Sequence, residues 1–481
     1  MLGIRRSSAI GFQPIGIVTS SFILDAMSSS SRLVELSTQI AENTKIVDSW
    51  LQEQSIAFSH EIDSAEAFPA NAPTEILDAR RLVREATKEL NILITGPAEY
   101  LRWHACVYHD MSSLRWVYHF KLAEYVPLEG SISYEEVAKK AGVNDLQCKR
   151  IMRHAMTNHI FREPKTGYVA HTAASALLVR NRGVRDWVGF TTEESFLCAA
   201  KLVEATEKWG KSERKDQWAY NLAFDTELSM FEHMAQFPER AERFANTMID
   251  MTSTDGYNIR HLVNGFAWDQ LPAGSIVVDV GGSTGHASIA IAEKVKSLNF
   301  VVQDLADVVQ QGQELLKSQP EEIKQRIQFE VHDFFSPQPP RPIAVYLMRF
   351  ILHDHPDSLS TKILQGIVSV MQPGDRIVVM DGITPEPNIL PPSEDRIIRI
   401  MDLEMMTDFN SGERERYQWE ALYTAADPRL KLKNIVKPPG SVNSVMEVVL
   451  EDKVDEKVEA REDAMNRKSM TSDVSHRFMI A

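Results

Sequence analysis

A chain of 481 residues has room for two or three domains with sizeable cores. Its 43% apolar and 25% charged residues are ordinary for a soluble globular enzyme, and a formal net charge of −15 argues against a protein that covers a phosphate backbone with clustered Lys and Arg. The three cysteines, Cys106, Cys148 and Cys198, are too scattered for a disulfide framework or a metal-ligand set. They read as buried or incidental thiols of a reducing, cytoplasmic setting, and no segment approaches the ~18 consecutive apolar residues of a membrane span.

In chain order, residues 1–26 carry Arg5, Arg6 and several serines with no acid before Asp25, a faint likeness to a mitochondrial presequence. Gly11, Pro14 and Gly16 interrupt any amphipathic helix there, so the segment reads as a disordered extension or an overextended start ahead of Met27. Residues 27–185 are expected to form a mostly helical domain. Leu33, Leu36, Ile40, Val47, Trp50 and Leu51 recur at helical spacing, and after Pro69 and Pro73 a second helix carries Leu82, Val83, Ala86 and Leu90 up to Gly96-Pro97. Such stripes must be buried, either within the chain or against a second subunit. Ser133-Tyr134-Glu135-Glu136 is a capping box opening a helix. A turn at Gly142, a helix through Ile151 and Met152, and a hairpin of Ile160-Phe161 with Tyr168–Ala170 complete a winged-helix pattern. Lys149, Arg150, Arg153 and His154 on its second helix raise a DNA-binding reading, which the acidic chain and the large downstream domain outweigh.

Residues 186–270 read as a helical connector whose aromatics (Trp187, Phe190, Trp218, Phe231 and Phe237 among them) are core by default, with some lining a substrate pocket. From Ser275 short apolar runs at 276–278, 300–302, 327–331, 343–348 and 377–380 alternate with helical stretches, which predicts a parallel sheet covered on both faces. Two later strands, near Leu430–Val436 and Val442–Leu450, predict an antiparallel edge hairpin, closing a mixed seven-stranded, Rossmann-like α/β domain over 271–451. A charged tail, 452–481, follows as an exposed helix or disordered segment.

Asp279-Val280-Gly281-Gly282-Ser283-Thr284-Gly285 follows the first of these strands. Ser283 and His286 stand where a dinucleotide turn needs glycine, so that fingerprint fails; acid-x-Gly-x-small-x-Gly resembles the first motif of class I S-adenosylmethionine-dependent methyltransferases. Ligands of open parallel sheets sit at the carboxyl ends of the strands. Those ends supply Asp279, Gly281 and Gly282, then Asp304 where an acid can bond ribose hydroxyls, then Asp333 and Phe334, suited to an adenine amino group and ring face. The fourth strand runs into Arg349-Phe350-Ile351-Leu352-His353-Asp354-His355 and the fifth ends at Asp381, with Glu413 beyond the next helix. A histidine with neighbouring acids suits a general base, while the His-x-His spacing lacks the further ligands of a metal site.

Asp279–Gly285 together with Val302-Gln303-Asp304-Leu305, His332-Asp333-Phe334-Phe335 and Leu352-His353-Asp354-x-Pro356 is similar to the caffeate-type small-molecule O-methyltransferases, in particular their fungal secondary-metabolite branch. The likeness covers residues 30–450. It implies that Gly281, Asp304, Asp333 and Phe334 hold S-adenosylmethionine, with Asp279 and Gly282 in the same turn and Arg349 where the family often has lysine. It also implies that His353 is the base, flanked by Asp381 and Glu413, that Asp354 and Met248 face the acceptor, and that the N-terminal domain makes a homodimer. Two residues depart from the family: His355 replaces a usual tryptophan, and Asp381 is one carbon shorter than the usual glutamate. The expected reaction is methyl transfer to a hydroxyl, expected to be phenolic, of a small aromatic or polyketide-type metabolite, with neither nucleic acid nor membrane as partner. A methyltransferase fold that catalyses a non-methylating, pericyclic step is the alternative, and a winged-helix regulator a weaker one.

Overall fold

The structure, a computed structural model, describes residues 30–69 and 71–452. The N-terminal extension and all but the first residue of the charged tail lie outside the described residues. Two compact units divide the chain: the described residues up to Ile56 with Asn71–Ala105 form one, and Ala57 to Pro69 with Cys106 onward form the other. Among the described residues, no helix is long and apolar enough to cross a membrane.

The first unit is built from α1 (Arg32–Glu53), α2 (Thr74–Thr95) and α3 (Pro97–His104). Arg32 at the start of α1 forks onto Glu89 near the end of α2 (2.8 and 2.7 Å), so the two long helices run antiparallel. Leu36, Ile76, Ala79 and Ala86 are buried between them. Gly96, at φ +77°, breaks the helix and Pro97 opens the next, the arrangement expected of these two residues. Leu93, Ile94, Leu101 and Trp103 remain exposed.

The second unit begins with helices and a small sheet. Ser133 and Glu136 cap Tyr134–Ala141 reciprocally as the sequence predicts, and Gly142 ends that helix in the left-handed region. The sheet has three antiparallel strands, β1 (Ile132–Ser133), β2 (Arg162–Lys165) and β3 (Tyr168–Ala170), in the order β1-β3-β2. Its hairpin starts later than expected. Phe161 takes φ +68° and is buried against Val137, Met152 and Val169, leaving the strand to begin at Arg162. Arg153 of the preceding helix forks onto Glu163 (2.7 and 2.7 Å), which also accepts from Tyr134 and the Gly167 N–H. That cation is spent stapling the hairpin to the helix.

The connector helices enclose a third core of Phe190, Cys198, Trp218, Tyr220, Met230, Met234 and Phe409. Phe231 and Phe237 were expected inside but are 37% and 43% exposed. A π-helical turn, Thr191–Ser195, places Glu194 where Arg240 and Arg243 both reach it.

The main sheet takes β4 (Ile276–Val280), β5 (Asn299–Asp304), β6 (Ile327–Val331), β7 (Val345–Arg349) and β8 (Arg376–Asp381) in parallel. A two-residue strand β9 (Ile383–Thr384) pairs in parallel with β10 (Arg414–Glu415), a contact that periodicity does not reveal. The hairpin of β11 (Leu430–Val436) and β12 (Ser444–Leu450) adds to β8 antiparallel, giving the order β11-β12-β8-β7-β4-β5-β6. Helices pack on both faces over two apolar layers, one around Tyr346, Ile363, Ile377 and Trp419, the other around Trp268, Ile291, Phe300 and Leu347. The chain runs outward from β4 through β5 to β6, then returns to β7 and β8 on the other side. The switch point therefore lies between β4 and β7, where such sheets bind ligands.

Candidate active site

The turn after β4 is shaped by what cannot fit there. Gly281 sits at φ +67°, and a Cβ on it would lie 2.5 Å from Ile351 Cδ1 and 3.5 Å from the Phe334 ring. Ser283 is left-handed as well, at φ +52°, a conformation more costly for a side-chain residue than for the glycine usual at that place. Its N–H donates to Asp304 Oδ2 (2.9 Å), while Leu305 N–H donates to Oδ1 (2.8 Å), so the carboxylate at the end of β5 is fixed against the turn. Burial raises the Asp304 carboxyl, and these two bonds oppose the shift. Asp279 lies beneath the turn, buried and accepting from Ser288 Oγ (2.7 Å); burial pushes it up to about 6. Asp333 is exposed, and its Oδ1 accepts from Phe335 N–H (2.9 Å). Phe334 is half-buried, edge-on to both Phe335 and His355.

Arg349 ends β7, buried between the fields of Asp279 and Asp381, and burial brings it down to about 10. Its Nη2 donates to the Tyr257 carbonyl (2.8 Å) and its Nη1 to His286 Nε2 (3.1 Å). Burial, reinforced by Arg349, holds His286 down to about 4, so the ring is neutral and can accept. Tyr257 follows the helix Pro238–Ser253 that carries half-buried Met248, and its ring lies 6.0 Å from Phe350.

His353 is buried in a short 3₁₀ turn, Leu352–Asp354. Its Nδ1 bonds Glu413 Oε1 at 2.8 Å, and its Nε2 stands 3.5 Å from Asp354 Oδ1. Asp381 makes no hydrogen bond to the imidazole; its Oδ1 accepts from Phe350 N–H (2.8 Å), and its Oδ2 has no partner among the described residues. Its charge still reaches His353. Burial alone would lower that imidazole, but Asp354, Glu413 and Asp381 outweigh it and push it up to about 10. Burial pushes Asp381 up to about 7. His355 is packed edge-on to Phe334 and Phe335, and burial, with the fields of Lys215, His353 and Arg414, holds it down to about 2.

The supports of this constellation are residues that sequence motifs did not single out. Ser411 Oγ donates to the His353 carbonyl (2.5 Å). Arg414, buried, donates to the carbonyls of Leu352 (2.7 Å) and His355 (2.8 Å), clamping the loop that carries His353. The β9–β10 pairing puts Glu413 next to Gly382, where a Cβ would collide with Glu413 Oε2. Asp402 Oδ1 accepts from Glu413 N–H (2.9 Å). The adjacency of Arg414 to Glu413 was the available signal; the others come from long-range pairing.

A narrow glycine turn, a carboxylate anchored beside it and a buried histidine–glutamate pair meet at one switch point, the place where such sheets hold a nucleotide-like ligand. The O-methyltransferase domain family matches residues 207–427, and the O-methyltransferase dimerisation domain family matches residues 103–181. O-methyltransferase aurJ of Gibberella zeae is 38% identical over 439 residues, covering 89% of this chain and 100% of aurJ. The chain belongs to the O-methyltransferase family. Two solved structures share the fold over 86% of the chain: OxaC in complex with sinefungin and meleagrin, at TM-score 0.67 and 20% identity over 99% of that chain, and one described as a pericyclic reaction enzyme, at TM-score 0.63 and 22% identity over 100% of that chain.

Proposed function

We propose that the protein methylates a phenolic hydroxyl of a small aromatic or polyketide-type secondary metabolite, using S-adenosylmethionine as donor and His353 as general base. The observation that carries this reading is the His353–Glu413 bond at the switch point: with Nδ1 engaged, Nε2, 3.5 Å from Asp354 Oδ1, is the nitrogen that can meet the acceptor. The residues fit the cofactor. A side chain at Gly281 would fill the space before Ile351 and Phe334, and Asp304 is already aimed along the turn. Asp304 would hold the ribose hydroxyls, Phe334 would pack on the adenine, Asp333 would take its amino group, and Gly281 with Gly282 would let the backbone approach. Asp279 acts from below the turn, and Arg349 walls the site. When bound, S-adenosylmethionine supplies a methyl group on a positively charged sulfur.

The acceptor's proton passes to His353 Nε2. A phenol near ~10 and a free imidazole near ~6.5 are mismatched in water by several units. With His353 pushed up to about 10, that gap closes in this site. Glu413 fixes the ring and stabilises its protonated form; Asp381 holds the Phe350 backbone and adds its charge. Asp354 and Met248 line the acceptor pocket.

The reading extends to the chain's organisation. Residues 27–185 serve as a winged-helix dimerisation domain, 186–270 shape the pocket, and 271–451 hold the cofactor. The exposed Leu93, Ile94, Leu101 and Trp103 support burial against a second copy in a homodimer. The acidic chain, and the commitment of Arg153 to Glu163, support a small-molecule partner over a nucleic acid. Free, unpaired cysteines support a cytoplasmic setting.

The test is incubation of the protein with methyl-labelled cofactor and a panel of hydroxyaromatics. Label should appear in an ether product, and His353→Ala should lower transfer by ~10²–10⁴-fold with cofactor binding unchanged. Wild-type turnover in that variant would remove the base assignment. An isomerised product without label would favour the pericyclic alternative.

A further inference from the structure

The turn that carries His353 is poorly held by its own backbone. Phe350, at φ +57°, enters it through the left-handed region, an unfavourable conformation for a bulky residue. Two backbone bonds close it, Asp354 N–H to the Ile351 carbonyl and His355 N–H to the Leu352 carbonyl. Each is 3.3 Å, longer than the usual ~2.9–3.0 Å. A 3₁₀ turn of three residues has no further ladder to add. The His353–Glu413 bond at 2.8 Å therefore depends on support from outside the turn.

Arg414 supplies that support. Its Nη1 donates to the Leu352 carbonyl (2.7 Å) and its Nη2 to the His355 carbonyl (2.8 Å), short charge-assisted bonds where the turn's own are long. Leu352 immediately precedes His353 and His355 immediately follows Asp354, so one guanidinium spans the two residues whose side chains form the site. Ser360 Oγ lies 3.1 and 3.0 Å from the same two carbonyls, but a hydroxyl has one proton and serves only one of them. The guanidinium is itself fixed. Nη2 also reaches Ser360 Oγ (3.2 Å), Nε donates to Asp357 Oδ1 (2.8 Å), and the Trp419 ring lies 5.1 Å away. Arg414 is 5% exposed, although the Asp357 side chain is 65% exposed, so the anchoring faces inward. Because Arg414 follows Glu413 in the chain, the single β9–β10 pairing places both the acid on the ring and the cation on the turn.

We propose that Arg414 is a positioning residue for methyl transfer, holding the turn so that His353 Nδ1 stays on Glu413 while Nε2 stays where the acceptor hydroxyl arrives. It acts through His353 and touches neither donor nor acceptor. This rests on the reading of His353 as base and deepens it. Only a planar fork can meet two carbonyls, a hydroxyl and a carboxylate at once; the single ammonium of lysine cannot, so lysine is not a conservative replacement here.

The test follows His353 by carbon-13 NMR of labelled histidine in the full chain with S-adenosylhomocysteine present, its signal assigned by its loss in His353→Gln. Wild type should titrate near 10, under the combined field of Asp354, Glu413 and Asp381. Arg414→Lys, which keeps the charge, and Arg414→Gln, which keeps a neutral donor, should each bring that titration down by about one unit or more, a tenfold loss of proton affinity. Affinity for S-adenosylhomocysteine, measured by calorimetry, should stay within about threefold. Asp357→Asn, which changes only the outer partner of the guanidinium, should leave the titration unmoved. For the hydroxyaromatics that wild type labels, the Arg414 variants should lose at least about thirtyfold in kcat with KM within about threefold, the split expected when the base and not the pocket is displaced. An unmoved titration in a folded Arg414 variant would make the residue a fold brace and overturn the proposal. So would a raised KM with kcat kept, or failure of both variants to fold while Asp357→Asn folds. A wild type that binds no S-adenosylhomocysteine would overturn the methyltransferase reading and this inference together, whereas binding with unmoved variants would overturn this inference alone.

Discussion

Replacing Glu413 by Gln tests the base more sharply than removing His353, because it changes charge while leaving an oxygen to accept from Nδ1. Glu413 Oε1 lies 2.8 Å from that nitrogen in a buried setting. A unit charge pair at ~4 Å and an effective dielectric of ~20 is worth about 4 kcal/mol, or roughly 3 pKa units. His353 stands at about 10 with three acids acting on it, so losing one should bring it down by about 2–3 units, allowing for the burial that works the other way. Two consequences separate. The base and a phenol near ~10 are no longer matched, so the plateau rate should fall by ~10²–10³-fold. The first proton also leaves the base–acceptor pair more readily, so the rising acidic limb of the rate profile should move to lower pH by about 2 units. The assay is label transfer from methyl-labelled S-adenosylmethionine to a saturating phenolic acceptor between pH 6 and 10, with carbon-13 NMR titration of labelled imidazole in parallel. A plateau that falls while the limb stays put would mean that Glu413 only orients the ring. An unchanged plateau would refute the reasoning altogether.

Gly281→Ala should weaken S-adenosylmethionine binding by at least tenfold in calorimetry and cost about 1–2 kcal/mol of stability, because its φ of +67° and the 2.5 Å approach to Ile351 leave a methyl no room; unchanged affinity would remove the turn from the cofactor site. His355 bears on acid stability. Its folded value of about 2 lies below the unfolded ~6.5, so the unfolded chain binds a proton that the native one refuses, and stability falls as pH drops below ~6.5, by up to about 1.4 kcal/mol per unit. His355→Phe, which keeps a ring between Phe334 and Phe335, should flatten the fall in melting temperature between pH 7 and 5, and an identical slope in both proteins would contradict a neutral buried His355. His353 works in the other direction: its raised value contributes stability that is complete below ~6.5 and is lost as pH rises through about 10.

What the sequence shows of this site follows from what kind of contact each residue makes. The strand ends were legible because a buried parallel strand is a short apolar run, and the first polar residue after it marks the end that faces ligand. Asp279, Asp304, Arg349 and Asp381 all stand at such ends. Gly281 was legible because its spacing to Asp279 and Gly285 describes one turn. The opening of the hairpin at Phe161 and the exposure of Phe231 and Phe237 were not, since apolar character alone does not say whether a partner surface lies opposite. The frame around His353 was less legible still. β9 and β10 are two residues each, too short for any period, and they join positions about thirty apart. Arg414 had only its adjacency to Glu413 as a signal, and Ser411, placed by the same pairing, has no local signature. The same geometry divides the two flanking acids. Asp381 and Glu413 looked equivalent in sequence, but the shorter acid, at the end of β8, engages the Phe350 N–H, while the longer one, admitted by the missing side chain of Gly382, reaches the imidazole. Three carboxylates around one histidine push it up to about 10, so the base of the proposed mechanism would start protonated at neutral pH. On the proposed mechanism, reaction begins when the base–acceptor pair gives up one proton to solvent, and the pH at which it does so should report the electrostatics of Glu413 and its neighbours as much as the identity of His353.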